Sequence, residues 1–212
     1  PRKRAETFAQ APEQARMYRE FYEHPLMDDY WRRPGLDNRS RFGAMKDVPI
    51  FLLGGWYDDF TSSVVRTFER LRSTQRTLKM LEVGPWPHGY GKPVCGEAQF
   101  GPTAALAENE LQLDWFNHCL RGKKLKAAGT APVRYFRIGG GPGRQGGGFR
   151  PGGTWISTDA WPPRGASTRS LYLGPKGALA GRAPLAVSAD AYSYDPARPF
   201  QPKGGRTPAC IV

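Results

Sequence analysis

The chain has 212 residues, enough to bury a core as one large domain or two small ones, but 39% are hydrophobic and 26 Gly with 20 Pro predict a loop-rich protein. Its formal charge of +12 is scattered, and the densest runs, Arg2-Lys3-Arg4 and Arg121 to Lys126, lack interleaved aromatics, which reads as solvated surface and argues against nucleic acid as a partner. No apolar run nears the ~18 residues of a membrane span, and no signal-peptide core opens the chain, so a membrane is not an expected partner either.

Residues 1–47 are polar and aromatic, with Met17, Tyr18, Phe21, Tyr22, Tyr30 and Trp31 clustering in a helix-like way that Pro25 interrupts. Two short helices with a break at His24-Pro25 are predicted. Asp28 and Asp29 follow the break, where carboxylates cap or electrostatically favour the next helix. The alternative is that they line a substrate pocket and hold a cationic group.

Residues 48–55 form a continuous apolar run ending in Gly54-Gly55, the pattern of a buried parallel strand. Trp56-Tyr57-Asp58-Asp59-Phe60 follows. Val64, Val65, Phe68 and Leu71 then fall on one helical face, with Thr61, Ser62 or Ser63 available as N-cap. Leu78, Met80, Leu81 and Val83 supply a second strand, ended by Gly84-Pro85 and followed by His88. Strand, helix, strand implies a right-handed crossover between parallel neighbours, so Asp58 and His88 should emerge from one edge of one sheet.

From Thr103 to Arg121 the pattern is helical, with Leu106, Leu113, Phe116 and Leu120 on one face and Leu111, Trp115 and Cys119 on another. One side should cover the sheet and the other meet a second domain. Residues 122–131 read as a linker. Beyond it, Val133 to Ile138, Ser170 to Leu173 and Leu185 to Tyr194 are strand candidates, and Gly139 to Gly153 is a long hairpin connection without the ending of a phosphate-binding loop. Residues 132–212 therefore suggest a β-sandwich or jelly roll.

His88 stands in a Gly/Pro-rich loop at a strand end, where an imidazole can reach reactants, whereas His24 and His118 have structural readings. Asp58, His88 and an earlier serine would make a triad in the chain order Ser, Asp, His. His88 would be general base and then acid, and Asp58, nearer the strand end than Asp59, would orient it. A metal reading of Asp58, Asp59 and His88 lacks further ligands at recognisable spacing, and no cofactor is implied. Cys95, Cys119 and Cys210 form neither a disulfide framework nor a metal pair, which fits a reduced, cytoplasm-like compartment.

Gly-Trp-Tyr-Asp at 55–58, Gly-Pro-Trp-Pro-His at 84–88, Trp115-Phe116 with Leu120-Arg121-Gly122, and Val133-Arg134-Tyr135-Phe136 resemble, in order and spacing, the cocaine esterase-like (CocE/NonD) hydrolases, relatives of α-amino acid ester hydrolases and X-Pro dipeptidyl peptidases. His24-Pro25 with Asp28-Asp29-Tyr30-Trp31 looks like the end of that family's helical cap. The resemblance implies an α/β fold: the C-terminal part of an α/β-hydrolase domain at 48–121, the end of a cap at 1–47, and a partial jelly roll at 132–212. It also implies a small-molecule ester or amide substrate, Asp58 as triad acid and His88 as triad base. Carboxylates that bind a substrate amine in the related ester hydrolases make Asp28 and Asp29 substrate-binding candidates. No serine here stands in a Gly-x-Ser elbow, so the chain is expected to be a middle-to-C-terminal portion of a serine hydrolase, inactive alone. The competing expectation is a non-catalytic binding module or an inactive remnant. Oligomeric state is not indicated.

Overall fold

The computed structural model describes residues 9–89, 91–126, 129, 131–185 and 189–199. The chain divides into two compact units, one of residues 1–47 with 70–76, the other of residues 48–69 with 77–212.

In the first unit, helix α1 (Pro12–Glu23) starts at a proline whose missing N–H costs nothing there, and it ends where His24-Pro25 was expected to break it. A second α-helix does not follow. Residues 29–36 run through turns and Arg39–Ala44 make a 3-10 helix that buries Phe42. The aromatic residues pack across the break: Phe21 lies 5.2 Å from Trp31, whose ring N–H donates to the His24 carbonyl at 2.7 Å.

The second unit is built on a four-stranded sheet. Strand β1 (Ile50–Gly55) leads into helix α2 (Thr61–Thr74) and returns as β2 (Lys79–Gly84), parallel to β1 with Gly55 paired to Gly84. Two short strands, β3 (Val94–Cys95) and β4 (Ala98–Gln99), precede helix α3 (Glu108–Arg121). Strand β5 (Val133–Ile138) then adds to β2 in parallel. A hairpin of β6 (Gly143–Gln145) and β7 (Gly148–Arg150) joins β4 in a second small sheet, and β8 (Gly153–Thr158) returns antiparallel to β5. The main sheet has the order β1-β2-β5-β8.

Alternation along the strands decides what each helix covers. Leu52, Leu81, Val83, Val133 and Tyr135 meet Val64, Val65 and Phe68 of α2. On the other face Phe51 and Met80 meet Leu111, Trp115 and Cys119 of α3, each fully buried side chain contributing about 1.5–3 kcal/mol. Strand β2 is buried along its whole length, as parallel strands covered on both faces are.

Several expectations change. The helix expected from Thr103 begins at Glu108, because Pro102–Ala104 form a separate 3-10 turn. Leu106 joins the Met80 cluster, while Leu113, Phe116 and Leu120 stay exposed. Strand pairing also runs past the linker expected at 122–131: Val133–Ile138 and β8 extend the sheet of β1 and β2. Of Ser170 to Leu173, only β9 (Tyr172–Leu173) is a strand, paired with β10 (Leu179–Ala180). In the segment Leu185 to Tyr194, residues 186–188 lie outside the described residues and the others carry no strand.

Candidate active site

Two turns leave the sheet side by side. After β1, Trp56 N–H donates to the Gly84 carbonyl at 2.9 Å and Tyr57 N–H to the Trp86 carbonyl at 3.1 Å, so the acid-bearing turn is bonded to the histidine-bearing loop. Asp58 N–H closes back onto the Gly55 carbonyl at 2.9 Å. Glycine is required at 55 and 84 for space: a Cβ on Gly55 would run into the main chain of Trp86, and one on Gly84 into its indole.

The Asp58 side chain is fully buried, while 55% of the His88 side chain is exposed, and Nδ1 of His88 lies 3.3 Å from Oδ2 of Asp58. The other carboxylate oxygen, Oδ1, accepts the Phe60 N–H at 3.0 Å. With Nδ1–H donating to the carboxylate, Nε2 carries the free lone pair, the tautomer a general base needs. The separation is at the long end for such a bond, as catalytic contacts often are before substrate tightens them. Of the two carboxylates in this turn, Asp58 lies beside His88, while Asp59 is half-buried.

Thr61 does not cap α2 as the sequence suggests. Its hydroxyl turns back to the end of β1, donating to the Gly55 carbonyl and accepting the Gly55 N–H at 3.1 Å. The bond from Phe60 N–H to Asp58 instead steadies the turn ahead of the helix.

Sequence reading missed three features. Phe60 is exposed and sits edge-on to the His88 ring at 5.5 Å. Trp86 is wholly buried and donates its ring N–H to the Ala104 carbonyl at 2.6 Å. Glu82, in the middle of β2, is buried and paired with Arg134 of β5, whose Nη1 lies 3.2 Å from both carboxylate oxygens. Burial pushes the Glu82 carboxyl above its ordinary pKa and the Arg134 guanidinium pulls it back in part. A glutamate inside a buried apolar strand was the signal, since such a charge demands a partner.

Asp28 and Asp29 belong to the other unit. Asp28 accepts from Nδ1 of His24 at 2.6 Å and from the Tyr30 N–H at 3.0 Å, and the His24 bond holds its carboxyl below the usual carboxylate range. That is a turn-closing role in place of the helix cap considered from sequence. Asp29 is exposed and pairs with Arg32 at 3.1 Å. His118 packs near Trp115 and bonds the Lys123 carbonyl at 2.8 Å, a structural placement. Cys95 and Cys119 are in no disulfide among the described residues, and Cys210 lies outside them. Among the described residues no three His, Cys, Asp or Glu side chains gather as ligands of one ion, and no helix is long and apolar enough to cross a membrane.

Residues 2–90 match the X-Pro dipeptidyl-peptidase (S15 family) profile. Cocaine esterase of Rhodococcus sp. (strain MB1 Bresler) is 29% identical over 195 residues, covering 86% of this chain and 31% of the esterase. A CocE/NonD family hydrolase from Staphylococcus aureus superposes with a TM-score of 0.50 at 19% identity, over 78% of this chain and 25% of that one, a likeness of fold. The chain thus spans about a third of the length of the esterase and a quarter of that of the hydrolase. The family profile and the esterase sequence are both similar to the group that the motifs at 55–58 and 84–88 resemble, and the hydrolase shares the fold.

Proposed function

We propose that this chain carries the acid and base of a serine hydrolase acting on small-molecule acyl esters or amides, with Asp58 orienting His88. The observation that carries the reading is the pair itself: a buried carboxylate 3.3 Å from Nδ1 of a half-exposed imidazole, both just past the C-terminal ends of adjacent parallel strands. In this reading Nε2 of His88 takes the proton of a serine hydroxyl as it attacks the acyl carbon. It then returns that proton to the departing alkoxide or amine. Asp58 stays ionised, holds the Nδ1–H tautomer and offsets the charge of the imidazolium.

The serine and the oxyanion donors are proposed to come from sequence outside residues 1–212. Residues 1–47 would close a helical cap, and the main sheet with α2 and α3 would be the C-terminal part of the hydrolase domain. The jelly roll would begin after Thr158, since the strand pairing of β5 and β8 ties them to β2.

The test uses the full-length protein that contains this sequence and a nitrophenyl acyl ester. A burst of nitrophenolate marks the acyl-enzyme, and His88→Ala should abolish both burst and turnover, while this chain alone should give neither. Full turnover by the His88→Ala protein would remove the assignment.

A further inference from the structure

With Asp58 and His88 read as acid and base, we propose that Trp86 is the positioning residue that sets their separation. Trp86 is tied to the acid-bearing turn through its main chain and to the Ala104 carbonyl and Trp155 through its indole. Its carbonyl accepts the Tyr57 N–H of the acid-bearing turn at 3.1 Å, one residue before Asp58. Its indole N–H is fixed on the Ala104 carbonyl at 2.6 Å, and its ring lies 5.6 Å from that of Trp155. The Trp155 N–H in turn donates to the Thr103 carbonyl at 2.8 Å, so two indoles grip successive carbonyls of one segment.

The ring occupies the space left by the missing side chain of Gly84, and the Trp86 main chain occupies that left by Gly55. Those two glycines are register partners at the ends of β1 and β2. The indole therefore anchors the Pro85-to-His88 loop from below, and the carbonyl of the same residue sets how far away the Asp58 turn can sit. His88 is two residues beyond this anchor and half in solvent, so its own surroundings place weaker limits on it. A shift of about 1 Å at such a pair is enough to cost catalytic geometry.

The test reads the imidazole itself and needs no turnover. Ring carbon shifts of neutral His88, measured at alkaline pH by NMR, report which nitrogen holds the proton. The wild-type full-length protein should show an excess of the Nδ1–H form, and Asp58→Ala should lose it. Trp86→Phe keeps an aromatic ring but not the bond to Ala104, and should lose the excess too. Trp155→Phe removes the matching bond to Thr103 without touching the acid-bearing turn, and should keep it. Gly55→Ala wedges the two turns apart with every aromatic intact, and carries the test should Trp86→Phe fail to fold.

Loss in Trp86→Phe or Gly55→Ala with retention in Trp155→Phe supports the positioning role. Wild-type shifts in the folded Trp86→Phe and Gly55→Ala proteins, or equal loss in Trp155→Phe, overturn it. Because no substrate is used, these outcomes are separable from failure of the hydrolase reading, which rests on turnover.

Discussion

Replacing Arg134 by methionine asks whether the ion pair within the sheet behaves as a buried charge. Glu82 is 1% exposed at its side chain, whereas Arg134 keeps 28% in solvent. The guanidinium also lies over the Trp155 ring, 4.0 Å from its centroid. Removing Arg134 strands a carboxylate away from water; removing Glu82 leaves a cation that still reaches solvent and an aromatic face. Loss of one partner of a buried pair costs about 3–5 kcal/mol, and Arg134→Met should fall at the lower end of that range. Glu82→Met should cost about 1–2 kcal/mol, since the remaining charge is partly hydrated. The two penalties should also differ in pH dependence. Burial raises the Glu82 carboxyl above its ordinary value, so the folded state holds this proton more tightly than the unfolded chain. Stability from this group therefore falls as pH climbs from the unfolded value toward the folded one. Without the opposing guanidinium that window moves upward, so the Arg134→Met penalty is small where Glu82 is protonated and grows as pH rises through the window. Urea midpoints followed by tryptophan fluorescence at one pH below the window and one above it measure it. An Arg134→Met penalty no larger than that of Glu82→Met at the higher pH would refute the reasoning.

In the full-length protein, Asp58→Asn should lower kcat about ten-thousandfold by releasing the imidazole tautomer, while Asp59→Asn stays close to wild type; steady-state kinetics with the exchanged result would transfer the acid role to Asp59. Phe68→Ala opens a cavity among Leu81, Val83 and Val133 and should cost about 3–5 kcal/mol by denaturant unfolding, so a cost below about 1 kcal/mol would mean α2 is not held through this face.

What was legible in the sequence was whatever short-range pattern determines. The apolar runs before Gly54 and Gly84 and the helical face of Val64, Val65 and Phe68 specify a β-α-β crossover, and the crossover alone brings Asp58 and His88 to one edge. What was not legible depended on long-range pairing. Val133 to Ile138 reads as a strand either in a sandwich or beside β2, and the choice is made by the Leu81–Val133 register and the Glu82–Arg134 pair, 52 residues apart. The two stripes of α3 likewise look equal in sequence, yet only Leu111, Trp115 and Cys119 find the sheet. His24 looked incidental beside Pro25, because its bond to Asp28 appears only once the turn is closed.

The geometry of the candidate pair is set by main chain before any side chain is placed. Gly55 and Gly84 are opposite each other in the register, both turns start from them, and the Tyr57–Trp86 bond joins the turns one step further out. Side-chain burial then separates the two roles. The Asp58 carboxylate is sealed from solvent and the His88 ring is half in solvent, which under the proposed reading leaves the carboxylate to act only through the imidazole. An orienting acid needs the first condition and a proton carrier the second. Reversing the roles, with the carboxylate as direct base and the histidine as its support, would put the working group where no reactant reaches it.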